Sequence, residues 1–174
     1  MAQEGRPVRA FSRTTAEAAL PLLGPYLRVL HINDSTDDQI LFQAACRLAN
    51  VPFNWHVADC TAKGISYLKT LVEHSKTLPV CWPDLVLLDI LMPPESGLEV
   101  LKYIRGTPAL ENLTVIILTG VSDPVKKAES MALGADFFLL KPPGFQEAVA
   151  LAKDLYNLIR HTREGGSPPP GLGK

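Results

Sequence analysis

Four apolar stretches of this chain each stop at a residue able to do chemistry. Leu27–Ile32 runs into Asn33-Asp34, Leu85–Leu88 into Asp89, Val115–Leu118 into Thr119, and Phe137–Leu140 into Lys141. Short apolar runs bounded by breakers read as strands buried on both faces, as in a parallel sheet. Every strand of such a sheet ends at the same edge. Two carboxylates, an amide, a hydroxyl and an ammonium then meet in one crevice. Carboxylates suit a hard divalent cation, and an ammonium is a point charge for a phosphate oxygen. The convergence points to a site for a divalent cation and a phosphoryl group. Singly, most of these residues have plainer readings. Lys141 before Pro142 reads as a solvated strand end, Thr119 before Gly120 as a turn residue, Asp34-Ser35 as a helix cap and Phe138 as core. Asp89 resists such a reading, because an ionised carboxylate ending a buried strand is costly without a partner.

The elements that must position these residues follow in order. After the first strand, Ser35 offers an N-cap, and Asp37 and Asp38 put negative charge in the first helical turn. Ile40, Leu41, Ala44, Ala45 and Leu48 recur at helical spacing to about Asn50, and Pro52 stops the helix. Phe53–Ala58 is a second strand, and Thr61 to about His74 a second helix with Ile65, Leu68, Leu71 and Val72 inward. Ser75–Pro83 is a long connection. Asp84–Asp89 is the third strand, and a proline-rich loop at Met92-Pro93-Pro94 leads to a helix from Ser96 to about Arg105. Thr114–Thr119 is the fourth strand. Ser122 or Asp123 caps a helix with Pro124 in its first turn. Asp136–Lys141 is the fifth strand, and Gly144 to about His161 the last helix. This alternation predicts an α/β fold: a doubly wound, five-stranded parallel sheet with helices on both faces. Ligands of such folds bind at the carboxyl ends of the strands, which is where Asp34, Asp89, Thr119 and Lys141 fall.

Length and composition set the outer limits. A chain of 174 residues fits one domain with modest extensions, and 47% hydrophobic residues can build a sizeable core. A formal net charge of −1 argues against a nucleic-acid surface. No apolar run approaches the roughly 20 residues that span a bilayer. Cys46, Cys60 and Cys81 are scattered, with no metal spacing, which suits reduced thiols in a cytoplasm. The four histidines show no ligand pattern. Residues 1–26 read as a flexible or loosely docked extension, not a secretory signal, because Pro21 and Glu17 interrupt its apolar part. Residues 27–161 read as the folded domain. Residues 162–174, rich in glycine and proline, read as a disordered tail.

With the motifs in place, residues 27–160 resemble the receiver domain of bacterial two-component response regulators. The resemblance rests on Asn33-Asp34, on Leu88-Asp89-Ile90-Leu91-Met92-Pro93 with Gly97, on Leu118-Thr119-Gly120 and on Leu140-Lys141-Pro142. It implies a flavodoxin-like sheet of strand order 2-1-3-4-5. It also implies that Asp89 accepts a phosphoryl group from a histidine kinase. Mg²⁺ would be held by Asp34, Asp89 and the backbone carbonyl of Leu91, with Asn33 near it indirectly. Lys141 would meet a phosphate oxygen. Thr119 and Phe138 would be the switch pair, and the Lys141-Pro142 bond would be cis. Binding to phosphotransfer proteins and homodimerisation are further partners it implies. The connection Ser75–Pro83 and the segment after the third helix resemble receivers that partner bacterial phytochromes.

Departures from the family pattern carry consequences. Asn33 stands where the family usually has an acid, so the pocket is expected to hold two carboxylates rather than three and to bind Mg²⁺ more weakly. That loss leaves open a second reading, a receiver-like interaction module that works without phosphorylation. Leu91 and Val121 occupy the positions that control self-hydrolysis in the family, and neither can hydrogen-bond a water, so slow decay of the phosphoryl group is implied. Leu91 also counts against a phosphohydrolase, which typically needs an acid there. The first loop lacks the phosphate cradle of a flavin-binding flavodoxin. With few residues after the last helix, a single-domain regulator signalling by protein contact is expected. Its responsive face would be Ser122–Leu133, Asp136–Leu140 and Gly144–His161. Kinase docking would use the first helix and the loop after Lys141.

Overall fold

A computed structural model describes residues 26–163; residues 1–25 of the expected extension and 164–174 of the expected tail lie outside the described residues, whereas Thr162 and Arg163, expected in a disordered tail, continue the last helix. The chain order is β1 (Leu27–Ile32), α1 (Thr36–Leu48), β2 (Phe53–Ala58), α2 (Thr61–His74), β3 (Leu85–Leu88), β4 (Leu91–Met92), β5 (Glu95–Ser96), α3 (Leu98–Gly106), β6 (Val115–Thr119), α4 (Pro124–Ala132), β7 (Phe137–Leu140) and α5 (Phe145–Arg163). Five parallel strands form one sheet in the order β2-β1-β3-β6-β7, and β4 and β5 pair as a small antiparallel hairpin. Renumbered without the hairpin, the sheet is the expected 2-1-3-4-5. Leu27, Val29, Leu85, Leu87 and Ile116 pack against α1 and α5, while Leu30, Ile32, Val86, Leu88, Val115 and Ile117 face α2 and α3. The alternation along each strand thus feeds two separate apolar layers.

Several expectations need correction. Only β1, β3 and β6 are enclosed on both faces. β7 is an edge strand, part-buried along its length and ending at an exposed Leu140, because no strand among the described residues lies beyond it in the sheet. Of the apolar positions that mark α1 in the sequence, Ala45 is buried but Ile40, Leu41 and Leu48 face solvent; Gln39, Phe42 and Cys46 complete the buried face. Of the expected proline-rich loop, Met92 ends β4 and Pro93-Pro94 form the turn of the hairpin, and α3 begins two residues later than expected, at Leu98. The cis peptide among the described residues is Pro93-Pro94; the Lys141-Pro142 bond is trans.

One buried residue makes stability depend on pH. His31 points from β1 into a cluster with Phe42 and Trp55, its ring centre 6.2 and 5.9 Å from theirs, and is almost wholly buried. Its Nδ1 has no hydrogen-bond partner among the described residues. Burial, and then the Lys141 charge, press its pKa from 6.5 down to about 4, against a smaller opposing pull from Asp38 and Asp89. The folded protein therefore keeps His31 neutral where the unfolded chain takes up a proton. Stability falls as pH drops from about 6.5 to about 4 and this contribution then levels off, a loss of about 3 kcal/mol in total. Urea titrations across this window should show that slope in the wild type and lose it in His31→Phe.

Candidate functional site

The crevice is built by register. Ile32 lies beside Leu88 and Leu88 beside Ile117, so β1 and β3 end level with one another and β6 runs two residues further, to Thr119. The Asp89 amide donates to the Ile32 carbonyl at 2.9 Å, which seats Asp89 next to Asn33. At the far side Thr119 pairs with Leu140, and the Lys141 amide donates to the Thr119 carbonyl at 2.8 Å. These backbone bonds carry Asn33, Asp89, Thr119 and Lys141 to one rim.

Asp89 is 4% exposed. Its Oδ1 accepts the Leu91 amide at 2.9 Å, and its Oδ2 lies 2.5 Å from Lys141 Nζ. The buried carboxylate thus has the partner that its burial demands. Thr119 is completely buried, and its Oγ1 has no hydrogen-bond partner among the described residues. A buried hydroxyl without a partner is unusual and calls for an explanation in function. Phe138 is half-buried and packs against the core layer facing α2 and α3. Asp34 stands exposed at the rim, with no ion pair or side-chain hydrogen bond among the described residues.

The loop from β1 to α1 is tied at several points. Asn33 is buried, and its Oδ1 accepts the Ser35 amide at 2.9 Å. Ser35 caps α1 by accepting the Asp38 amide at 3.2 Å. Gln39 donates to the Asn33 carbonyl at 2.5 Å. This network turns Asp38 into the crevice, where its Oδ2 lies 2.6 Å from Lys141 Nζ. Burial acts to raise the Asp38 pKa, but the Lys141 ammonium, with the Asn33 and Ser35 side chains, holds it below the ordinary carboxylate value. Burial likewise works against the charge on Lys141, and its bonds to Asp38 and Asp89 more than compensate, raising its pKa.

The expectation of two carboxylates is therefore incomplete. Asp38 is a third, set in the first turn of α1 rather than at the strand end. Sequence reading assigned it only to the helix dipole. Among the described residues no three His, Cys, Asp or Glu side chains are arranged as a ready-made metal cluster.

Comparison with known proteins agrees with this geometry. A family model described as the response regulator receiver domain matches residues 36–153. The two-component response regulator ORR1 of Oryza sativa subsp. indica is 30% identical over 128 residues, covering 72% of this chain and 54% of that protein. The phosphate regulon transcriptional regulatory protein PhoB of Escherichia coli is 32% identical over 78 residues, covering 45% of this chain and 34% of PhoB. The chain thus spans about half, or less, of the length of these curated relatives. Among solved structures, the phosphorylated cyanobacterial phytochrome response regulator RcpA superposes with a TM-score of 0.68 at 23% identity, covering 79% of this chain and 96% of that one. The Mn²⁺-bound form of response regulator Rcp1 gives 0.65 at 21% identity, covering 82% and 99%. At such identities the shared property is the fold. Receiver domains are signalling domains rather than catalytic enzymes, and they bind Mg²⁺ or Mn²⁺. Among the described residues no helix is long and apolar enough to cross a membrane. The family match over most of the folded region, joined to the Asp89–Lys141 pair and the buried Thr119 hydroxyl, leads to one conclusion: this chain belongs to the response regulator receiver family.

Proposed function

We propose that this protein is a cytoplasmic response regulator that takes a phosphoryl group onto Asp89 from a histidine kinase. The observation that carries the reading is the ion pair of Asp89 with Lys141, 52 residues away in sequence, beside an unpartnered buried hydroxyl at Thr119. An Asp89 oxygen attacks phosphorus while the phosphorus–nitrogen bond of the kinase phosphohistidine breaks. That bond's electron pair stays on the imidazole. Lys141 is placed to follow the new phosphoryl oxygens, and Thr119 supplies a donor for another of them.

The donors available for a cation are all oxygen: the carboxylates of Asp34 and Asp89 and the backbone carbonyl of Leu91, with Asn33 close by. That set fits Mg²⁺, which favours carboxylates and keeps several waters, and the exposure of Asp34 leaves room for them. When bound, Mg²⁺ offsets charge on the transferring group.

The output is protein contact through α4, β7 and α5. Val125, Met131, Leu140 and Phe145 are exposed apolar side chains on these elements, with Val125 at 74% exposure, and such residues favour a partner surface. A bacterial phytochrome is the proposed kinase and a phosphotransfer protein the proposed relay; a homodimer is the proposed self-association. The test is intact mass after incubation with Mg²⁺ and acetyl phosphate. One added phosphoryl group, lost on chelation of the metal, supports the reading. No addition under any donor favours the phosphorylation-independent interaction module. Leu91 and Val121 offer no group to orient a water, so the acyl phosphate should decay slowly. Leu91→Asn with Val121→Glu should speed decay about tenfold or more, read by loss of the phosphorylated mass over time.

A further inference from the structure

An acid in the first turn of a helix ordinarily does no more than offset the helix dipole. Asp38 does something else. Its Oδ2 is 2.6 Å from Lys141 Nζ, and Asp89 Oδ2 is 2.5 Å from the same nitrogen. Lys141 lies just past β7, the edge strand, where its flexible four-carbon stem could as well extend into solvent. A carboxylate on each side of the ammonium removes that freedom. α1 can serve as a fixed post because its first turn is itself fastened, by the Ser35 cap and by Gln39 on the Asn33 carbonyl. The amide at Asn33 matters here as well. An acid at that buried position would set a second negative charge near Asp38 and weaken its hold.

Resting on the phosphoacceptor reading above, we propose that Asp38 is a positioning residue for phosphoryl transfer, holding the Lys141 ammonium against Asp89 from the α1 side. The cation is then in place when the phosphoryl group arrives. Geometry of this kind acts on rate through orientation. Asp38 touches Lys141 directly and needs no contact with the phosphoryl group.

The test uses the full chain as wild type, Asp38→Asn, Lys141→Ala and the double variant. Uptake from acetyl phosphate is timed at saturating Mg²⁺. Asp38→Asn should slow uptake about tenfold in the wild-type background. In the Lys141→Ala background the same substitution should change the rate by less than about twofold, because its effect passes through the lysine. Equal slowing in both backgrounds overturns the proposal in favour of a merely structural role. An unchanged rate overturns it too. A fall in Mg²⁺ affinity that accounts for the whole rate loss overturns it in favour of a metal ligand.

A second measurement does not depend on phosphorylation. Reductive methylation of Lys141, followed by peptide mass spectrometry, should run faster in Asp38→Asn than in wild type, while Lys63 labels equally in both. Equal labelling of Lys141 means that Asp38 does not hold it, and the proposal fails whatever the kinetics. A wild-type chain that takes up no phosphoryl group overturns the phosphoacceptor reading and the transfer role with it. Asp38-dependent labelling in that case shows that the failure lies in the function and not in the ion pair.

Discussion

Asp89→Asn is expected to take up no phosphoryl group from acetyl phosphate while remaining folded. An amide oxygen at this position can still accept the Leu91 amide, as Oδ1 does at 2.9 Å. Lys141 keeps Asp38 as its counter-charge at 2.6 Å, so no cation is stranded in the crevice. What is lost is the nucleophile. Uptake should fall by roughly 100-fold or more, with no phosphorylated species in the intact mass spectrum. Stability should change by no more than about 2 kcal/mol, because the ion pair loses one arm and not both. Urea unfolding in parallel separates the two effects. Uptake equal to wild type would mean that some other residue is the acceptor.

Gly97→Ala should be the most damaging small substitution outside the reacting residues. Gly97 is the N-cap of α3, with φ −58°, a conformation open to any residue. Its requirement is space. A Cβ at this position would sit 1.9 Å from the Asp89 carbonyl oxygen, 2.9 Å from the carbonyl carbon and 3.0 Å from Ile90 Cα. All three are backbone atoms, which cannot swing away as a side chain can. The β3 end and the α3 start must separate, at a cost of about 3 kcal/mol in urea unfolding. The same displacement moves Asp89 relative to Lys141 and Thr119. Misplacement near 1 Å can cost about 100-fold in rate, so uptake by the folded fraction should fall by a factor between about 10 and 100. Wild-type stability together with wild-type uptake would mean that the hairpin and α3 yield freely.

The same principle separates what could be read in the amino-acid order from what could not. β1, β2 and α2 were legible to the residue. Their signals are local: apolar runs, alternation and turn residues within a few positions. The polar residue after each apolar run located Asp89, Thr119 and Lys141, because parallel strands share an edge whatever their loops do. Gly97 was visible as a motif residue, but its reason, the approach of the α3 backbone to Asp89, is a distance between elements. In α1, Ile40, Leu41 and Leu48 share the helix with Phe42, Ala45 and Cys46. Both sets have helical spacing, and only the angle at which α1 lies on the sheet selects the buried one. β7 was read as enclosed because its composition is apolar, whereas enclosure depends on having a neighbour on each side.

Asp38 marks the boundary most clearly. Its helix, cap and charge were all evident from residues 35–48. Its meeting with Lys141 spans 103 positions of the chain, and no local pattern encodes a contact of that range. Sequence alone therefore determined which elements form and which end of each carries chemistry, since those depend on near neighbours and on the shared direction of parallel strands. Tertiary structure alone decided which charges touch, because an ion pair is set by the packing of α1 and the β7 end around β3.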